Sequence, residues 1–260
     1  MNILAPTLSH QIIPDKDSWP LPTLSLELQS LDHAGVSIFL QCIKPIEDLK
    51  DSVITVLQHL YLSPERPEFP SGPDEVKDVK LIVRPMSGVA YTTGVGPKEA
   101  GRKEIHLSAD YVFNISKDKP PPSHEPENLI RYEILGVVVH ELVHCFQYNA
   151  KGSCPGGLIE GIADFIRLQA HLGAKHWRRP GPPKPPASFY PFPTPKWDAG
   201  YERTAFFLEW IENRYGIGTI RELNANIRDV EWDERIFKDL TGRKVDKLWR
   251  IYCEENGVGV

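Results

Sequence analysis

The segment HELVHCFQYNAKGSCPGGLIEGIADFIR, from His140 to Arg167, constrains this chain more than any other. Two histidines stand four residues apart with a glutamate beside the first. After a turn of small residues, Glu160 and Asp164 repeat the spacing in carboxylates. The apolar residues on both sides of the turn recur at helical intervals. On an α-helix, residues four apart share a face, about 6 Å apart along the axis. His140 and His144 can therefore point imidazole nitrogens at one ion. Glu141 falls just to the side, where a carboxylate reaches a water held by that ion without ligating the ion itself. A tetrahedral zinc that reserves one position for water needs a third protein ligand. Glu160 is the natural candidate, because KGSCPGG lets the second helix fold back and present its opening turn. Asp164, one turn later on the same face, suits a carboxylate that accepts the N–H of a ligating histidine and sets its tautomer. One Zn²⁺ is the expected cofactor.

Around this segment the chain changes character. LSLELQSLD (24 to 32) alternates as a half-buried strand does, and VSIFLQCI (36 to 43), VKLIVRPM (79 to 86), GVAYTTG (88 to 94) and EIHLSADYV (104 to 112) supply further strand-like runs. Residues 46 to 60 show helical spacing between them. Helices are then predicted over 127 to 149, 158 to 172, 199 to 214, 217 to 228, 231 to 240 and 243 to 255. The proline-dense stretch from 178 to 195 reads as a long surface loop. Strands first and helices later predict an α+β fold, with an N-terminal mixed sheet of about five strands ahead of the HExxH helix. Residues 1–23 read as an irregular lead-in and 24–255 as one domain. Its cleft is expected between the sheet with its HExxH helix and the helical C-terminal half.

Bulk properties exclude some partners. A formal net charge of -5 over 260 residues gives no electrostatic reason to expect nucleic acid or an anionic membrane. The short basic run KHWRRP (175 to 180) reads as a solvated helix end. No apolar run approaches the ~20 residues of a membrane span. The N-terminus lacks the pattern of a secretion signal, so a cytoplasmic protein is expected. Cys42, Cys145, Cys154 and Cys253 are scattered without paired metal-ligand spacing and read as free thiols. His59, His106, His124 and His171 read as structural.

Four stretches, HELVHCFQYN, GGLIEGIADFIR, WDAGYERTAFFLEW and FKDLTGRKVDKLW, resemble the plant and fungal basic secretory protein peptidases, a family of zincin-like metallopeptidases. The likeness runs from about Leu24 to Tyr252, although this chain is neither basic nor visibly secreted. It implies a zincin-like fold, zinc held by His140, His144 and Glu160, and Glu141 as general base in the gluzincin manner. Gluzincins pair an extended peptide with a strand shortly before the metal helix. GVAYTTG matches best, with Val89, Ala90 and Tyr91 as the substrate-binding residues. Tyr201 begins a helix in a stretch the family shares and is the candidate donor to the oxyanion of a cleaving peptide bond. Trp197 and Asp198 either shape the pocket or cap and bury that helix.

The function expected from these residues is zinc-dependent hydrolysis of peptide bonds, with a peptide or peptide-like substrate and no nucleic-acid or membrane partner. Two alternatives stay open: a zinc-binding relative without catalysis, and a hydrolase of a small peptide-like metabolite.

Overall fold

A computed structural model describes residues 18–70, 75–94, 101–117, 126–181 and 196–257. Most of the expected lead-in, most of the proline-dense 178–195 loop, and His124 lie outside the described residues. The elements run β1 (Thr23–Leu28), α1 (Ala34–Cys42), α2 (Pro45–Leu60), β2 (Asp78–Arg84), β3 (Ala90–Gly94), β4 (Arg102–Ser108) and α3 (Ala109–Lys117). Then follow α4 (Pro126–Phe146), α5 (Gly156–Gln169), α6 (Tyr201–Tyr215), α7 (Thr219–Asn226), α8 (Arg235–Thr241) and α9 (Val245–Asn256). The α+β order expected from the sequence is present.

Two of the five expected strands differ from expectation. VSIFLQCI forms the helix α1 instead. Its buried residues are Gly35, Val36, Phe39 and Cys42, and His33 caps it by accepting the Gly35 N–H at 3.1 Å. A short apolar run reads as strand or helix until its neighbours are known; here packing against α3 and α4 decides. EIHLSADYV splits at Ser108. The Ser108 hydroxyl accepts the Tyr111 N–H at 3.1 Å and donates to the Met86 carbonyl at 2.6 Å, so it caps α3 and ends β4.

The sheet among the described residues therefore has four strands, in the order β1-β2-β4-β3. β1, β2 and β4 are parallel, while β3 runs antiparallel to β4 at the edge, with Tyr91 opposite His106 and Thr92 opposite Ile105. One face is polar: Lys80 reaches toward Glu27 and Glu104, and Arg84 donates to His106 and Tyr91. The other packs on α2 and α4, burying Val79, Leu81, Val83, Ile105 and Leu107.

Helix α4 is the centre of the molecule. Ile134, Val137, Val138, Val139, Leu142, Val143 and Cys145 bury it on nearly every side, which is why it lacks a single apolar stripe. Arg131 ties it to α2 through two 2.6 Å bonds to the buried Asp48. α5 lies along α4, α6 along α5, and α6 meets α9 through Phe207, Trp210, Trp249 and Tyr252. No helix among the described residues is long and apolar enough to cross a membrane.

Candidate metal centre

The turn between α4 and α5 forms the site. Asn149 accepts the Gly152 N–H at 3.0 Å, closing a 3₁₀ turn over Ala150–Gly152. Ala150 and Lys151 have φ of 52° and 55°, and Gly152 has 84°. Three consecutive left-handed residues reverse the chain within a few positions, so α5 returns antiparallel to α4 and its first turn faces His140.

Nε2 of His140 lies 3.2 Å from Nε2 of His144 and 3.2 Å from Oε2 of Glu160. His144 Nε2 is 3.6 Å from the same oxygen. A tetrahedral zinc with arms of about 2.0–2.1 Å separates neighbouring donors by about 3.3–3.4 Å. The spacing fits, and these three residues can hold one metal ion. The donor chemistry fits too, because the outer nitrogens are engaged elsewhere. His140 Nδ1 meets Asp164 Oδ1 at 2.6 Å, with Asp164 only 3% exposed. The Gln147 amide lies 3.0 Å from His144 Nδ1, and its oxygen is buried without a partner. Turning that oxygen to His144 would satisfy it when Nδ1 carries the proton, the tautomer that frees Nε2 for a metal.

The local charges reinforce one another. Burial pulls the His140 imidazole pKa down, but its hydrogen bonds to Asp164 and Glu160 outweigh this and lift it to about 9. Burial pushes the Glu160 carboxyl up, and the bonds to His140 and His144 overcome this and bring it to about 2. Glu160 is thus a carboxylate under all ordinary conditions.

Glu141 is 6% exposed and stays outside the trio. Its carboxylate accepts a 2.7 Å bond from the Thr92 hydroxyl on β3. Val89, Ala90, Tyr91 and Thr92 line the cleft over the cluster. They do so differently, because side chains alternate along a strand. The Tyr91 ring stacks on His106 at 4.5 Å on the polar face of the sheet, and its hydroxyl accepts from Arg84, so it contributes to the rim but turns its ring away from Glu141. Thr92 is the residue that reaches inward. A period of two starting from Ala90 points to it, and the sequence reading passed over it.

Tyr201 stands where α6 begins, its ring nearly parallel to that of His140 at 6.2 Å and 55% exposed. The nearby Glu160 charge, and burial after it, raise its pKa, so the phenol keeps its proton. Its position is set by close packing. A Cβ on Gly157 would come within 1.8 Å of the Asp198 carbonyl oxygen, so only glycine admits the turn before α6. The Thr204 hydroxyl accepts the Gly200 N–H and donates to the Trp197 carbonyl. Gly200 and Tyr201 have φ of 90° and 49°. Trp197 packs on Trp232 and Phe237, so its part here is structural. His106 is held by Arg84 and Tyr91, and burial, then Arg221, bring His59 to a pKa of about 4.

The cysteines among the described residues are free thiols. Nothing among curated proteins matches the chain, and neither does any solved structure. A family model described as "Peptidase of plants and bacteria" matches residues 21–252. That span covers most of the chain and contains the His140, His144 and Glu160 cluster. The chain belongs to this family, the BSP peptidases.

Proposed function

We propose that the protein is a zincin-like, single-zinc peptidase with Glu141 as its general base. The observation that carries this is the placement of Glu141. It borders the donor trio without joining it, and the strand at the cleft edge holds its carboxylate.

His140, His144 and Glu160 hold the ion, and a bound Zn²⁺ supplies Lewis-acid polarisation of the scissile carbonyl and of water. Asp164 steadies His140 and increases its basicity as a ligand. Among the described residues β3 has β4 on one side only, which leaves its other edge to pair with an extended peptide. Glu141 takes a proton from the water whose oxygen bonds to the carbonyl carbon. It returns that proton to the amide nitrogen as the C–N bond breaks, leaving a carboxylic acid and an amine. Tyr201, which keeps its phenolic proton, donates to the carbonyl oxygen as that oxygen gains charge. The cleft, about 870 Å³, has room for a short stretch of peptide.

Glu141→Gln tests the assignment. Zinc content should match the wild type while peptide hydrolysis is lost. A zinc-loaded Glu141→Gln protein that still cleaves peptides would overturn it.

A further inference from the structure

At the far end of the cleft, α4 and α5 bring together a second polar group. Glu133 precedes His140 by seven residues and Arg167 follows Glu160 by seven, so each lies about 10 Å along its helix from the cluster, on the cluster's face. The helices are antiparallel, and the two residues meet. Arg167 is 6% exposed. Its Nε donates to the Leu172 carbonyl at 2.8 Å and its Nη2 to Glu133 Oε1 at 3.0 Å. Tyr111 donates to the same Oε1 at 2.9 Å, and the Trp177 ring lies 5.0 Å from the guanidinium carbon. A Cβ on Gly136 would fall 2.5 Å from Arg167 Nε, so α4 carries no side chain where the guanidinium crosses it.

These contacts use one edge of each group. Arg167 Nη1 and Glu133 Oε2 have no partner among the described residues. Both residues line the cleft, as does Val137 between them and the cluster. Burying an ion pair is a poor way to gain stability. A helix that carries glycine where such a pair crosses it, with a donor and an acceptor left open on residues that line the cleft, is built for a ligand.

We propose that Arg167 and Glu133 form the specificity site of the cleft and take a carboxamide side chain, glutamine or asparagine, from the peptide. This rests on the peptidase reading above. The amide oxygen accepts from Arg167 Nη1 and the amide nitrogen donates to Glu133 Oε2. An acidic side chain is repelled by Glu133, Glu141, Glu160, Asp164 and Glu202, which line the same cleft. A basic side chain is drawn to those carboxylates but has no acceptor to offer Arg167 Nη1, and an aliphatic one leaves both open groups unpaired, the arrangement that polar sites reject most strongly.

The test is binding, which separates it from catalysis. Alanine-serine hexapeptides carrying glutamine at each central position in turn, with leucine, glutamate or lysine as replacements, are titrated calorimetrically into zinc-loaded Glu141→Gln protein. Glutamine should bind about tenfold or more tighter than the others at one position. Arg167→Met should flatten that preference, with thermal melting to establish that the variant folds. Glu133→Gln, which preserves shape, should move the preference toward glutamate. Equal binding of glutamine and leucine at every position overturns the proposal, as does a folded Arg167→Met that keeps the preference. A glutamine preference in a wild-type protein that cleaves none of these peptides keeps the site and removes the peptidase reading.

Discussion

Asp164→Asn offers a quantitative probe of the metal centre that does not require turnover. In chelated protein, the Asp164 and Glu160 hydrogen bonds lift the buried His140 from an ordinary pKa near 6.5 to about 9. A group whose pKa is higher folded than unfolded stabilises fully below its unfolded value, and that stabilisation disappears as pH rises through its folded value. The window is therefore pH 6.5 to 9. The rise corresponds to about 3 kcal/mol, which for a chain of this size shifts melting by about 6–12 °C. Thermal melts of EDTA-treated wild type should fall by that order between pH 6.5 and 9. Zinc-loaded protein should not show the fall, because the ion requires His140 unprotonated. For the same reason apparent zinc affinity should rise about tenfold per pH unit between 7 and 9, with about one proton released per ion near neutrality. Asp164→Asn removes the charge and should flatten both trends. A chelated wild type whose melting is constant across the window would refute the coupling, and so would an equal fall in Asp164→Asn.

Other residues give sharper tests of single roles. Thr92→Val removes the 2.7 Å bond to the Glu141 carboxylate and keeps a β-branched strand residue. With about 1.5–3 kcal/mol for a hydrogen bond to a charged group, kcat/KM on a peptide should fall about 10–100-fold at unchanged zinc content, and Thr92→Ser should restore it. Tyr201→Phe should lower kcat by about 10²–10³ with KM nearly unchanged, measured by steady-state kinetics. Gly157→Ala places a methyl 1.8 Å from the Asp198 carbonyl oxygen and must push the turn before α6 away. It should cost about 1–3 kcal/mol in denaturant melts and lower turnover, because the Tyr201 ring loses its place beside His140.

The donor trio was legible without coordinates because every member lies on a helix, and helical spacing is a local rule. His140 with His144, and Glu160 with Asp164, each share a face by sequence distance alone. The small residues between the pairs announce that the second helix returns. Local rules failed where a side chain's environment is set by a distant segment. VSIFLQCI carries apolar residues compatible with either period, and its place beside α3 and α4 makes it α1. Ser108 ends a strand because the Met86 carbonyl, 22 residues earlier, accepts a hydrogen bond from its hydroxyl. On β3 the alternation was readable, but which face meets Glu141 follows from the register with β4, and so Thr92 faces inward while the Tyr91 ring does not.

The amino-acid order by itself determined which atoms can gather around an ion and the family to which they belong, since backbone periodicity links neighbours in sequence to neighbours in space. Only the tertiary structure decided what surrounds that cluster. Thr92 against Glu141, Tyr201 beside His140, and Arg167 across Gly136 to Glu133 join segments 34 to 61 residues apart. Those contacts depend on how closely helices and strands approach, which is a property of packing rather than of spacing along the chain.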